Sequence, residues 1–169
     1  YIRLQAQSLE SSHVGATRFI LDKDSHLDSL TLAAGSKLAR HNLYVHCVGK
    51  NAFAQVNGLT ISDKEQHIDN STVIDHVVGA CTTTQLYKSI LGGTSKTIFC
   101  GRVQIRKDAQ KASSEQLNQN LLLSSSADAN SKPELGIFAD DVKASHGSTI
   151  GQVNAEEVFY LMSRAISKP

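Results

Sequence analysis

The sequence has 169 residues, with 17 Lys and Arg against 16 Asp and Glu and a formal net charge of +1 at pH 7. This length is enough for one domain with a buried core. The basic residues form no stripe, which argues against a nucleic-acid partner, and no apolar run approaches the ~20 residues of a transmembrane helix. The chain opens at Tyr1 without a Met or a signal-peptide pattern, so we expect a piece of a longer protein.

Short strand patterns separated by Gly, Asn, Asp and Ser fill the first part of the chain, and no helical period of 3.6 persists there. Strands that follow one another every ~10 residues fit a sandwich, a barrel or a β-solenoid. Asn57-Gly58 lies within one pattern and predicts a hairpin or tight turn. The patterns are YIRLQAQ (1–7), DSLTLAA (28–34), LYVHCVG (43–49), AFAQVNGLTI (52–61), STVIDHVV (71–78), TIFC (97–100) and RVQI (102–105).

The segment HNLYVHC shows the two-residue period of a strand most clearly. Its alternation predicts that Leu43, Val45 and Cys47 face the core. The same period places His41 and His46 on opposite faces, which argues against their sharing a metal ion.

A weak internal echo favours the solenoid among the three folds. SHLDSLTL at 25–32 is similar to QHIDNSTVIDH at 66–76, roughly 40 residues later, within the range of solenoid repeats. In each, a His, an aliphatic residue and an Asp precede a Ser and an apolar run. Asp and Asn at recurring corners suit a coil that must satisfy backbone groups at every turn.

The second part of the chain changes character. LGGTSKT at 91–97 lacks the P-loop spacing and predicts a turn between strands. Residues 107–132 are rich in Ser, Gln, Asn and Ala, and we interpret them as two loops around a short strand near 119–124. ELGIFAD at 134–140 resumes the strand pattern.

A helix is predicted to begin after Asn154, whose side chain can cap it, with Glu157 completing a capping box. Val158, Leu161, Met162, Ala165 and Ile166 would form its apolar face. We therefore divide the chain into a β core over 1–152 and the start of a helical region over 153–169.

The cysteines and most histidines give no sign of a site. Cys47, Cys81 and Cys100 are widely spaced without a C-x-x-C pair, so the pattern favours free structural thiols in a reducing compartment over a zinc site or a disulfide framework. Most of the histidines are expected to be solvated or locally bonded: His13, His26, His41, His46, His67 and His76.

The stretch ADDVKASHGSTIGQ at 139–152 carries the densest polar chemistry. Asp140 and Asp141 are neighbours whose side chains should diverge, whereas a catalytic carboxylate pair must act on one substrate. We interpret one as exposed and the other as bonded to nearby backbone. The residues alone leave open whether this stretch, with His146, is a catalytic loop, a metal site or only a polar turn.

Several ordered segments resemble the SufD group of iron–sulfur assembly proteins, densely over 64–167. The SHGSTIG form around His146 is more similar to SufD than to the SHEA form of the related SufB group. The segments are EQHIDNST (65–72), QLYKSIL (85–91), GRVQIRKDAQK (101–111), NQNLLLS (118–124) and KPELGIFADDVKASHGSTIGQ (132–152).

The resemblance implies an all-β, right-handed parallel β-helix followed by the start of a helical segment. It implies a non-catalytic scaffold subunit that pairs with a SufB-like paralogue and docks a SufC-like ATPase through a C-terminal region outside this sequence. An iron–sulfur cluster would be held transiently by the complex, with none expected in the isolated fragment. The compartment would be the cytoplasm or the plastid stroma. Alone, the fragment should form a homodimer through strands near 119–142, because open sheet edges pair.

The resemblance also assigns the 139–152 stretch to a loop at the pairing surface, with His146 as a candidate ligand for the nascent cluster. Ala144 stands where the family has a cysteine, so this stretch brings no thiolate. Lys143 would favour anionic sulfide or thiolate nearby, and Gly147 would let the backbone turn tightly.

Two other functions stay open at this point. A polysaccharide lyase or hydrolase built on a β-helix would need carboxylates or basic residues clustered on one outer sheet face. A purely structural solenoid would only dock a partner.

Overall fold

The computed structural model describes residues 1–152 and 154–166, which form eleven β-strands and one α-helix. The strands are β1 Ile2–Gln5, β2 Ser12–Leu21, β3 His26–Ala33, β4 Leu38–Cys47, β5 Phe53–Ser62, β6 His67–His76, β7 Thr82–Leu91, β8 Lys96–Ile105, β9 Ser113–Leu122, β10 Asp128–Ile137 and β11 Lys143–Gln152. The helix is α1 Ala155–Ser163.

The strands stack as the coils of a parallel β-solenoid. Odd-numbered strands form one sheet in the order β1-β3-β5-β7-β9-β11, and even-numbered strands form the facing sheet in the order β10-β8-β6-β4-β2. Every pairing is parallel and joins a residue to the one a coil later, as His26 pairs with Phe53 and Phe53 with Thr82. One coil takes about 30 residues, as solenoid repeats do. The predicted parallel β-helix is confirmed.

The core lies between the two sheets and is filled by alternate residues of each strand. In β4, Leu43, Val45 and Cys47 are at most 1% exposed, as the alternation predicted. His41 is also buried, whereas His46 lies on the outer face and contacts Asp75, so the prediction that the two histidines diverge is confirmed.

The hairpin prediction at Asn57-Gly58 is wrong, because both residues lie in the middle of β5. Gly58 faces the interior and pairs with Tyr87 of β7. A Cβ at Gly58 would lie 2.3 Å from Cε1 of the Tyr87 ring. The glycine is therefore explained by the close approach of a buried aromatic ring rather than by a turn.

The loops predicted within 107–132 are wrong in part, because β9 and β10 cover most of this region. Alternate polar residues of β9, including Gln116, Asn118 and Asn120, point into the solenoid, where they are hydrogen-bonded. Asn118 Nδ2 donates to the backbone oxygen of Tyr87 at 3.2 Å, and Asn120 Nδ2 donates to Asn118 Oδ1 at 2.7 Å. The inward-facing positions of β9 are mostly amides, so the alternation of apolar and polar residues that predicts a strand is missing from this segment.

The echo between 25–32 and 66–76 is not the coil repeat. Its two copies are β3 and β6, which lie in opposite sheets. The turn at 91–97 is confirmed between β7 and β8.

Corners of successive coils repeat one backbone conformation. Asp24, Asn51, Ala80 and Lys111 all have φ between 59° and 63°, in the left-handed region. Asn51 Nδ2 also donates to Asp24 Oδ1 at 3.1 Å, which links two corners. The expected Asn and Asp corners are thus present on the first coils, while other residues adopt the same conformation later.

Helix α1 begins as predicted, with Asn154 Oδ1 accepting the backbone N–H of Glu156 at 2.9 Å. The bond from Glu157 that would complete a capping box is absent from the described residues. The helix ends at Ser163, so two members of the predicted apolar face lie beyond it, and the apolar side chains are largely exposed, with Phe159 at 73%. Val153 and residues 167–169, which belong to the predicted helical region, lie outside the described residues.

Gly58→Ala is expected to lower the free energy of unfolding by about 1–3 kcal/mol, because the added methyl group would overlap the Tyr87 ring in a packed core. Chemical denaturation measures this change. Gly136→Ala in β10 is the matched control, since the nearest atom to its Cβ would be 3.6 Å away. Equal stability of both variants would contradict the packing explanation.

The free energy of unfolding should fall as the pH is lowered, because folding buries His41. Burial, followed by the charges of Arg3 and His13, lowers the pKa of His41 to about 4. The unfolded chain, with an ordinary pKa near ~6.5, takes up the proton first as the pH falls, so stability drops between these two values. We expect wild type to lose about 3 kcal/mol more than His41→Gln between pH 7 and pH 4. Urea titrations at both pH values test this, with exposed His26→Gln as control.

Candidate functional site at the open end of the solenoid

The last coil leaves both sheets open at one end. Among the described residues, β11 pairs only with β9, and β10 pairs only with β8. Since strand pairing uses both edges of an inner strand, one edge of each terminal strand is free.

His146 lies on strand β11, so the interpretation of this stretch as a loop is wrong. The turn comes earlier, between β10 and β11, and His146 pairs with Gln116 of β9. Gly147 is extended and does not make a tight turn. A Cβ there would lie 2.9 Å from Leu117 Cδ2, so the glycine makes room for that leucine.

The register places His146 on the interior side of the solenoid. Ala144 packs against the main core, and it pairs with buried Ser114. His146 is two residues further along the same face and pairs with Gln116, which is 0% exposed. His146 itself is exposed because the described chain has no further coil to cover it.

A ladder of side-chain amides inside the solenoid ends at Gln116, the residue that pairs with His146. Gln116 Nε2 donates to Gln85 Oε1 at 2.6 Å, and Gln85 Nε2 donates to Thr72 Oγ1 at 2.7 Å. Gln116 Oε1 is buried and has no hydrogen-bond partner. A buried acceptor without a donor is costly. The carbonyl of Gln116, in the residue paired with His146, is therefore suited to accept an imidazole N–H.

The backbone of β11 presents donors and acceptors along the free edge. The N–H of Lys143 donates to the backbone oxygen of Ala112 at 2.9 Å, on the β9 side. In a parallel ladder alternate residues bond to the same neighbour, so the residues between them, including Ala144, His146 and Ser148, direct their N–H and C=O groups to the open edge. The same end also exposes apolar side chains, namely Ile137, Phe138 and Ile150.

The two neighbouring carboxylates of the sequence lie in the turn between β10 and β11. Asp140 and Asp141 are both exposed. Asp141 bonds through its backbone, since its N–H donates to Gln110 Oε1 at 2.9 Å and its oxygen accepts the N–H of Lys111 at 2.6 Å. The expectation of one carboxylate bonded to backbone is therefore not met among the described residues. Lys143 is exposed two residues later.

Two of the histidines that were expected to be solvated or locally bonded are buried and hydrogen-bonded, His41 to Thr17 and His76 to Thr83, each at 3.0 Å. His41 and His76 are buried, at 4% and 0% exposure. His76 lies close to Cys47 and Cys81, a group that sequence reasoning missed because no short motif joins the three. The register of the coils brings them together.

Comparisons with known proteins identify the family. A family model described as "SUF system FeS cluster assembly, SufBD core domain" matches residues 1–169. The chain belongs to the SufBD family. This confirms the resemblance seen in the sequence.

Relatives of the SufBD family chain come from several lineages. It is 33% identical over 168 residues to the iron–sulfur cluster assembly protein SufD of Escherichia coli, covering 99% of this chain and 40% of that protein. It is 40% identical over 169 residues to an iron–sulfur cluster assembly SufBD family protein of Synechocystis, covering 99% and 37%. It is 34% identical over 166 residues to the chloroplastic protein ABCI7 of Arabidopsis thaliana, covering 96% and 34%. The chain thus spans well under half the length of these relatives. In the described part of this SufBD chain, no helix is long and apolar enough to cross a membrane.

Proposed function

We propose that this chain is the β-helix core of a SufD-like scaffold subunit that assembles iron–sulfur clusters. It would pair with a SufB-like paralogue, and a SufC-like ATPase would dock through the helical region that begins at α1. Membership of the SufBD family supports this, as do relatives named as iron–sulfur assembly proteins. The cluster is the cargo of the complex rather than a resident cofactor.

The observation that carries the proposal is the position of His146. It is exposed, faces the interior side of the solenoid, and lies on a strand with a free edge. A second solenoid placed end to end would cover His146 and enclose a space between the two terminal coils. A nascent cluster at that junction could take ligands from both subunits.

The partner would supply the thiolates. Iron in clusters prefers thiolate, with imidazole as an occasional ligand. Ala144 brings none, and the thiols of this chain lie elsewhere: Cys47 and Cys81 are buried, and Cys100 belongs to β8 of the other sheet. His146 is therefore the contribution of this subunit, with Gln116 Oε1 suited to orient its ring. Strand alternation directs Lys143 to the opposite face of β11, so the role expected for it from the sequence is not part of this proposal.

The ion pairs on the outer faces of the sheets favour the scaffold function and argue against a polysaccharide lyase or hydrolase. Asp69 pairs with Arg40 at 2.8 Å, and Asp75 pairs with Arg106 at 2.7 Å. Carboxylates neutralised in this way do not converge on a common substrate position. We therefore propose a subunit without catalytic residues of its own.

The compartment we propose is the cytoplasm, or the plastid stroma in a photosynthetic cell. The three cysteines are free, as suits a reducing compartment. A chloroplastic relative makes the stroma an alternative.

His146→Ala should leave folding and partner binding intact but slow cluster formation by the reconstituted complex by roughly tenfold or more, the scale of losing a group that supports a metal site. Circular dichroism and copurification test the first part, and the visible absorption of the growing cluster tests the second. His26→Ala is the matched control, because His26 is an exposed strand histidine bonded to Asp28 at 3.1 Å.

Ala144→Cys should change cluster formation less than His146→Ala, because the natural chain works without that thiol. If the His146→Ala complex forms clusters at the wild-type rate, His146 has no role in cluster formation. The terminal coil would then serve only as an interface.

The dimer contact was predicted near residues 119–142, but residues 119–122 belong to β9, which pairs on both sides. We therefore expect the isolated chain to form a two-fold dimer through the free edges of β10 and β11, in place of the paralogue. Ser148→Pro removes an edge-facing N–H without breaking the ladder to β9, so it should yield a monomer. Ser148→Ala is the control, because it removes only the hydroxyl that donates to Ser131 Oγ at 2.8 Å. Light scattering at high concentration distinguishes the two, and a monomeric wild type would contradict the edge pairing.

A further inference from the structure

A buried group of sulfur and nitrogen donors lies within the middle coils, away from the open end. Cys47 ends β4 and pairs with His76, which ends β6 on the next coil. The chain then turns the corner, and Cys81 precedes β7. Stacking and the corner together bring three residues from separate positions to one place in the core.

The three potential ligand atoms are close and fully shielded. The two sulfurs and a ring nitrogen of His76 all lie within 4.8 Å of one another. Each of the three residues is 0% exposed. Ligands of a tetrahedral zinc-type site, with bonds of ~2.0–2.3 Å to the metal, must lie within about 4 Å of one another, so small side-chain movements suffice to reach this geometry.

The hydrogen bonds of His76 leave one ring nitrogen free to act as a ligand. Thr83 Oγ1 donates to Ser114 Oγ at 2.9 Å, so it accepts from His76 Nε2, which lies 3.0 Å away. The proton is then on Nε2, and Nδ1 carries the lone pair. Nδ1 is buried and has no hydrogen-bond partner. Holding the far N–H of an imidazole by a hydroxyl is how proteins fix the tautomer of a metal-binding histidine.

The two thiols contact each other and nearby backbone oxygens. Cys81 Sγ lies 3.3 Å from the backbone oxygen of Gly49 and 3.6 Å from that of Gly79, which are weak contacts. Burial, followed by the nearby Cys81, raises the pKa of Cys47 to about 12.

We propose that Cys47, His76 and Cys81 form an internal binding site for a divalent cation of the zinc class. Two thiolates and one imidazole are a donor set that zinc binds strongly, with the fourth position left to a small ligand. Binding displaces one proton from each thiol, so the site carries two thiolate charges against the two charges of the cation. Because the group is fully buried, the metal enters during folding and cross-links neighbouring coils.

This site is separate from the cluster function proposed for His146. His146 lies on the terminal strand, whereas Cys81 precedes β7, two strands further in along the same sheet. A resident zinc-class ion would stabilise the solenoid and need not exchange with the cluster. The two proposals can therefore fail independently.

The test is the metal content of the protein, made in the longest reading frame that encodes the chain. We expect about one zinc ion per chain when the purified protein is analysed by inductively coupled plasma mass spectrometry. Refolding with Co²⁺ in place of zinc should give the intense absorption bands of tetrahedral thiolate cobalt. Cys81→Ser should lower Co²⁺ or Zn²⁺ occupancy by about tenfold or more, whereas Cys100→Ser, which removes the cysteine outside the group, should not.

If Cys81→Ser does not fold, the denaturation midpoint of the wild type tests the same site. Wild type refolded with and without Zn²⁺ should differ in denaturation midpoint, since a ligand that binds only the folded state stabilises it. A folded wild type without metal, with no cobalt thiolate bands and no Zn²⁺-dependent shift, would overturn the site. Equal metal binding by Cys81→Ser, or a disulfide between Cys47 and Cys81, would also overturn it.

Discussion

Register between neighbouring coils is the constraint on which this structure depends. Each inner strand bonds through its backbone to the strand one coil before and the strand one coil after, in parallel and without offset. Side chains at matching positions must therefore stack in columns. Columns such as Gln85, Gln116 and His146, or Cys47 and His76, exist only because of this ladder.

The ladder also explains why so much of the interior is polar. A buried amide is costly when alone, but stacked amides can donate to one another or to the backbone of the next coil. Gln116, Asn118 and Asn120 are bonded in this way. In the column that contains Gln85 and Gln116, the last amide leaves one group unpaired. Gln116 Oε1 is that group here, in the residue paired with His146.

The two candidate sites follow from two different properties of a solenoid. An interior column can bring donors together out of solvent, as it does for Cys47, His76 and Cys81. An open end presents a free edge and an uncovered interior face, as it does at His146. The first suits an ion that remains with the fold, and the second suits a partner that completes the site.

Much of the architecture could be predicted from the sequence. Alternation in β4 predicted the buried face of Leu43, Val45 and Cys47, and ordered segments of family resemblance predicted the parallel β-helix. Asn154 predicted the helix start, because capping is a local interaction. His146 was selected from the resemblance rather than from its geometry.

Other features depended on contacts a full coil apart. Asn57-Gly58 resembled a turn because the close approach of Tyr87 is invisible in the local sequence. The polar segment before residue 132 resembled loops because its amides are satisfied only by neighbouring coils. The sequence by itself determined which residues alternate, where the last helix begins and which family the chain resembles. Only the tertiary structure decided which residues stack, because strand register is set by backbone pairing between coils and not by the order of residues within one.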